Sequence, residues 1–386
     1  MRRSAFVRRG VVIIGLLLAG CSSVVPKSAP PPVVQAPPVV QAPPPVSNEL
    51  PQDVDRHRIA LLVPTTGPYA GLGASIANAA DLAIIQTSNK RLRVTKYDTG
   101  AGAVAAAQHA IADGNQLILG PLLGNDAREI APLARSAHIP IISFTNDATV
   151  AGDGVWVMGF LPQQAIARVV NYAHAHGAHN FAGLIPNGVY GERAGAALLK
   201  TTREEGWPVV SMQTYSPSPA SMSAAVSRLN KAGHYDAVLI ADSVRDSRLL
   251  GPFVKHGSAA RILGTELWND RSIASSPALT GAWFASVSDG VYNQWVASYR
   301  SNYGKAPPRI ASLGYDAVLL VTRIANSWHG KGAFPVQKLV DKSGFSGLDG
   351  AFRFLPDGLS ERALQVNQIS PTGIRVVSPA PASLGN

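Results

Sequence analysis

From residue 58 to residue 264 the chain alternates short apolar runs with longer segments in which apolar residues recur every three or four positions. Short runs closed by turn formers read as strands buried on both faces, and the longer periodic segments read as amphipathic helices. On this pattern strands are predicted at 58–64, 92–99, 116–119, 139–142 and 155–160, with helices at 74–86 and 101–113 and another ending near Arg135. The unit from 115 to 147 is the clearest: Gln116-Leu117-Ile118-Leu119 stops at Gly120-Pro121, a helix follows, and Ile139-Pro140-Ile141-Ile142 stops at Ser143-Phe144-Thr145-Asn146-Asp147. Such a βαβ unit points its polar strand ends into the crevice where open α/β sheets bind ligands. From Pro162 the alternation restarts, with helices at 163–176, 192–205, 219–232 and 244–256 and strands at 181–186, 208–212, 237–242 and 261–264, which implies a second parallel sheet.

The carboxyl third changes character. A connecting strand is expected at 282–286, helices at 289–303 and 311–328, and a hairpin pairing 351–354 with 364–369 through a turn near Pro356-Asp357-Gly358. The folded region from Arg56 onward, about 320 residues, is long enough for two lobes of ordinary domain size.

The amino terminus has a different pattern. Arg2, Arg3, Arg8 and Arg9 precede an apolar run at 10–18 that ends in Leu18-Ala19-Gly20-Cys21. A basic start, a short apolar core and small residues at its end make a secretory signal too short to remain a membrane span. The signal resembles a bacterial lipobox, so Cys21 is the expected lipidation site and 1–20 the cleaved signal. Cys21 is the one cysteine of the chain, which rules out an intramolecular disulfide and a cysteine-rich zinc site. Residues 24–50, 27 in all, are rich in Pro, Val, Ala and Gln, and Pro-Pro-Val-Val-Gln-Ala occurs twice, at 31–36 and 37–42. Proline fixes φ and removes donors, so the segment 21–55 reads as an extended tether reaching on the order of 80 Å.

Removing the four signal arginines from a formal charge of +10 leaves +6, and no Lys/Arg run with interleaved aromatics predicts a nucleic-acid surface. Nor is enzyme chemistry evident: a Gly-x-Ser-x-Gly elbow and a His-Glu-x-x-His helix are both missing from the sequence. Gly67, Gly71 and Gly73 do not make a full Gly-x-Gly-x-x-Gly order, and no P-loop lysine accompanies them, so no nucleotide cofactor is expected. His174, His176 and His179 end a helix, where they favour the dipole rather than a metal. Glu266 and Asp270 follow the strand at 261–264 and could face the crevice. Binding is therefore expected rather than catalysis, with no catalytic residue and no metal.

Leu62-Val63-Pro64-Thr65-Thr66-Gly67-Pro68-Tyr69-Ala70, Gly120-Pro121-Leu122 and Ser312-Leu313-Gly314-Tyr315-Asp316-Ala317 resemble the type I periplasmic-binding fold of the Leu/Ile/Val-binding family. The resemblance implies an α/β architecture of two parallel-sheet, Rossmann-like lobes joined by a hinge, crossed three times by the chain. It places the first part of lobe I at 56–158, lobe II at 159–283, a return to lobe I with a terminal hairpin at 284–378, and a tail at 379–386. More narrowly, the lipobox, Ser143-Phe144-Thr145-Asn146-Asp147, Gly159-Phe160-Leu161-Pro162-Gln163-Gln164 and Tyr190-Gly191-Glu192-Arg193 are similar to penicillin-binding-protein activator lipoproteins. That implies a non-catalytic periplasmic protein, lipid-anchored at the outer rather than the inner membrane, which stimulates a bifunctional peptidoglycan synthase. The alternative is the substrate-binding lipoprotein of an ABC importer, with a permease and a small polar ligand such as an amino acid as partners. For that reading the crevice residues are Thr66, Tyr69, Ser143, Thr145, Asn146, Tyr190 and Glu266. Leu122 and Leu123 stand where amino-acid binders of this fold place small hydroxyl residues, which ranks the synthase partner first.

Overall fold

A computed structural model describes residues 56–329 and 332–384. Cys21 and the tether lie outside the described residues, as do the signal and the last two positions of the tail. The first sheet is built from β1 (His57–Val63), β2 (Leu92–Asp98), β3 (Leu117–Leu119), β4 (Ile141–Ser143) and β5 (Val155–Val157) in the order β2-β1-β3-β4-β5, all parallel. Its connecting helices are α1 (Ala70–Thr87), α2 (Ala103–Ala112) and α3 (Gly124–Ser136). Alternate residues of β1 face opposite layers: Ile59, Leu61 and Val63 pack with α1, and Ala60 and Leu62 with α2 and α3. Burial on both faces is why this strand has no polar alternation. Helix α1 begins at Ala70, four residues before the sequence pattern places it, and takes in Gly71 and Gly73, of which Gly73 packs closely on the end of β1. A Cβ on Gly73 would stand 1.9 Å from the Pro64 carbonyl oxygen.

The second lobe runs through α4 (Pro162–Ala175), β6 (Phe181–Pro186), α5 (Val189–Glu204), β7 (Val209–Tyr215), α6 (Pro219–Lys231), β8 (Ala237–Ile240), α7 (Val244–Gly257), β9 (Arg261–Gly264) and β10 (Trp283–Ser286). The chain then returns to the first lobe as α8 (Gly290–Tyr303) and α9 (Ala311–Ala325), whose apolar faces complete the core beside α1. A small antiparallel sheet follows, β11 (Phe345–Gly347), β12 (Gly350–Phe354) and β13 (Ser360–Arg362), and its Phe352 and Phe354 enter the same core. Finally β14 (Gln365–Ser370) and β15 (Gly373–Ser378) go back to the second lobe, giving the order β15-β14-β10-β9-β8-β6-β7.

Two expectations about the carboxyl third need correction. The strand near 282–286 is no mere connection: β10 lies inside the second sheet, parallel to β9 and antiparallel to β14, with Trp283 opposite Gln368. The hairpin does not pair 351–354 with 364–369 either. The Pro356-Asp357-Gly358 turn closes β12 at once onto β13, setting Phe352 opposite Arg362 and Phe354 opposite Ser360. Val366, Asn367 and Ile369 of β14 are buried within the second sheet, a burial that a two-stranded hairpin could not supply.

The chain thus crosses between lobes at 158–161, at 287–289 and at 363–364. Side chains tie these crossings together. Arg362 Nη2 donates to the Met158 carbonyl at 2.6 Å, Gln164 accepts from the Arg362 backbone N–H at 3.1 Å and donates to the Ser360 carbonyl, and Arg309 Nη2 donates to the Ser288 carbonyl at 2.8 Å.

Candidate functional site

The strand ends of the two lobes flank a cavity of about 480 Å³ that is open on one side. On the first lobe its wall is Tyr69, Leu122, Leu123, Phe144, Asn146 and Leu313; on the second it is Leu161, Gln164, Glu266, Leu267, Val287 and Leu364. Arg309 and Arg362 close it at the crossings.

The first wall is shaped by how its loops satisfy their backbone groups. β3 ends in a cis Gly120–Pro121 peptide, and the Pro121 carbonyl accepts both the Ser143 hydroxyl at 2.9 Å and the Phe144 N–H at 2.9 Å. Leu122 and Leu123 are thereby presented to the cavity, which makes this wall apolar. Beside them the Thr145 hydroxyl accepts the Asp147 N–H at 3.1 Å. Asp147 in turn binds Arg128 of its own lobe at 3.2 Å and Arg193 of α5, across the cleft, at 2.7 Å. Burial works to raise the Asp147 carboxyl, but hydrogen bonds from Thr149 and the two arginine charges outweigh it and hold the group below its ordinary value. At the end of β1, Thr65 and Thr66 N–H groups, the Gly100 N–H and the Thr66 hydroxyl all donate to Asp98. Those four bonds overcome desolvation and lower the Asp98 carboxyl to about 2.

The second wall centres on Glu266, at the turn after β9. Its Oε1 accepts from the Tyr190 hydroxyl at 2.9 Å, and the same hydroxyl lies 2.8 Å from the Thr265 hydroxyl. Its Oε2 is buried without a partner. Burial pushes the Glu266 carboxyl up to about 7, against the opposing bonds from its own backbone and from Tyr190. Near neutral pH it can therefore accept a hydrogen bond from a ligand or, protonated, donate one.

At the crossings Arg309 pairs with Asp289 and, at 2.7 Å, with the fully buried Asp349, which also accepts the Ser312 hydroxyl. Arg362 has no such ion pair among the described residues, and its Nε and Nη1 are buried without partners.

The residues singled out from sequence divide accordingly. Tyr69, Asn146 and Glu266 reach the cavity wall, and Tyr190 stands behind Glu266 as its donor. Thr66, Ser143 and Thr145 lie off the wall, their hydroxyls occupied by Asp98, the Pro121 carbonyl and the Asp147 N–H. Sequence reasoning missed Gln164, Arg309 and Arg362. The last two come from the carboxyl third, where Arg362 ends the polar run Ser360-Glu361-Arg362 and carries no local signal of its role. Among the described residues no group of three or more His, Cys, Asp or Glu side chains is placed to hold a metal ion. His174 instead stacks on Trp207 with ring centroids 3.8 Å apart, and its Nδ1 lies 3.0 Å from the Ala178 carbonyl.

Known proteins agree with this geometry. A putative branched-chain amino acid ABC transporter from Rhodospirillum rubrum superposes with a TM-score of 0.74 at 17% identity, over 83% of this chain and all (100%) of that one. A solute-binding protein from Rhodopseudomonas palustris, solved with 3,4-dihydroxybenzoic acid, gives 0.66 at 19% identity over 86% and 98%. A branched-chain amino acid substrate-binding protein from Streptococcus pneumoniae, solved with isoleucine, gives 0.62 at 19% over 84% and 100%. At these identities the likeness is one of fold. An uncharacterized protein of Rickettsia prowazekii is 26% identical over 174 residues, 45% of this chain, and the chain spans about half (47%) of that relative. These relatives lend the activator resemblance no support. The family model for periplasmic binding proteins matches residues 57–373, which is nearly the whole folded region, and the chain belongs to that family.

Proposed function

We propose that this protein captures a small solute for an ABC importer, and that the permease, not a peptidoglycan synthase, is its partner. The observation that carries the reading is the cavity itself: about 480 Å³, walled by both lobes, apolar over most of its surface and supplied with a few converging polar groups. Small-molecule sites are built in this way, whereas a protein-docking face would not need a hollow between two lobes. Tyr69, Asn146 and Glu266 contact the solute, and Tyr190 orients Glu266. Thr66, Ser143 and Thr145 hold the strand-end loops in shape. The apolar walls accept a solute with an apolar body, as do the amino-acid and aromatic-acid binders of the same fold. Lipid on Cys21 and the proline-rich tether keep the protein close to a membrane on the periplasmic side.

A thermal-shift screen of the purified protein against branched-chain amino acids and hydroxybenzoic acids tests the reading. A solute at 100 times its Kd stabilises by about 2.7 kcal/mol, a shift of a few degrees. If no solute moves the melting temperature, and detergent-solubilised membranes yield a peptidoglycan synthase with the protein instead of permease subunits, the proposal is wrong.

A further inference from the structure

Arg362 is 6% exposed, yet its side chain reaches the cavity wall. Of its three nitrogens only Nη2 has a partner, the Met158 carbonyl at 2.6 Å. Nε and Nη1 are buried and donate to nothing. Two rings flank the guanidinium, with its carbon 5.0 Å from the Phe160 centroid and 5.1 Å from that of Phe352. Rings steady such a cation but leave the N–H groups in its plane without acceptors.

Neither nearby acid forms an ion pair with Arg362 among the described residues, although Asp316 Oδ2 is buried without a partner. Asp349 bonds to Arg309 and Ser312, and Asp316 accepts the Leu348 N–H at 2.7 Å through Oδ1. The contrast with Arg309 is instructive, since that arginine has both its carboxylates and a carbonyl. A buried guanidinium with unused donors is costly in the empty protein, and a bound anion removes the cost.

We infer that Arg362 is the anchor for an anionic group of the solute, and that the cavity takes apolar monocarboxylates. The inference rests on the solute-capture reading and adds the charge of the ligand and the residue that selects it. One group is indicated rather than two: Arg362 is the single wall cation with free donors among the described residues, and Glu266 and Asp270 on the facing wall repel a dianion. The mostly apolar lining excludes a small hydrated anion, which would lose its water against leucines and phenylalanines.

Calorimetric titration of the intact protein with matched acid and amide pairs tests this: benzoate with benzamide, phenylacetate with phenylacetamide, and leucine with leucinamide. At least one acid should bind more than about tenfold tighter than its amide, the ratio for a charge-assisted hydrogen bond. Arg362→Gln, which keeps a donor for the Met158 carbonyl, should erase that preference, and Arg362→Lys should retain part of it. The wild-type acid-to-amide ratio needs no variant, so it stands even if Arg362→Gln folds poorly. If an amide binds as tightly as its acid, solute capture survives and the role of Arg362 is refuted. If neither member of any pair binds, both fall together.

Discussion

Asp316 offers a sharp test of the electrostatics at the crossings. It sits on α9 with 1% of its surface exposed; its Oδ1 accepts one backbone N–H, and its Oδ2 is buried without a partner. Burial, reinforced by the charge of Asp349, raises its carboxyl from 3.8 to about 7, against the weaker opposing pull of Arg362. Between those two values the folded protein holds a proton that the unfolded chain has released. Stability must then fall as pH rises, by about 1.4 kcal/mol per pH unit, until the folded group ionises. Asp316→Asn keeps the shape and the acceptor for the Leu348 N–H but cannot titrate. Urea unfolding of both proteins from pH 4.5 to 8.5 should show the difference moving by about 3 kcal/mol in favour of asparagine, with most of the change complete near pH 7. Glu266 titrates over the same range but is common to both proteins and cancels in the difference. A difference that stays flat across this window would refute the reasoning, because it would mean that Asp316 is ionised throughout.

Three further outcomes follow from the packing and the cleft. A Cβ on Gly314 would stand 2.3 Å from the Ile76 carbonyl oxygen where α9 crosses α1, so Gly314→Ala should cost about 1–3 kcal/mol and lower the melting temperature by several degrees. Asp147→Asn removes the carboxylate that Arg193 reaches across the cleft; with both arginines partly in water the loss should be about 1 kcal/mol, and small-angle scattering should report a larger radius of gyration. The wild-type carboxyl is held low, so its contribution is present above its unfolded value and disappears only as pH falls through the lowered one. Tyr190→Phe takes from Glu266 a donor that favours its ionised form, so carbon-detected NMR should find the Glu266 carboxyl titrating above about 7, and an unchanged midpoint would contradict the contact.

The strand and helix alternation was legible up to residue 264 because the strands there, the edge strands β2 and β7 aside, are buried on both faces and the helices pack an apolar face against them. Beyond it the helices at 289–303 and 311–328 are still legible, as α8 and α9, but the strand pattern fails for physical reasons. β13 contributes Ser360-Glu361-Arg362, a polar triplet that is a strand only because β12 supplies its partners. β14 mixes polar and apolar residues, Gln365-Val366-Asn367-Gln368-Ile369-Ser370, and nothing local says which of two sheets it will join. Of the strand-end residues singled out in the sequence, Asn146 and Glu266 reach the cavity wall. The hydroxyls of Ser143 and Thr145 at those same ends bond instead to loop backbone groups, a role to which such residues are well suited. Arg362 was out of reach, because its importance depends on a fold that brings residues 158 and 362 together.

The triple crossing also dictates when the protein can become itself during synthesis. Residues 57–157 supply the whole first sheet, but the layer that covers α1 is α9, made some 150 residues later, and β14 arrives only after that. An emerging chain therefore exposes Ile76, Leu82 and their neighbours until most of the polypeptide exists, and neither half can be cut free and keep its core. A truncated copy ending after α7 would carry a first sheet without the α9 layer over α1 and a second sheet lacking β9, β10, β14 and β15, making it a natural client for chaperones and proteases.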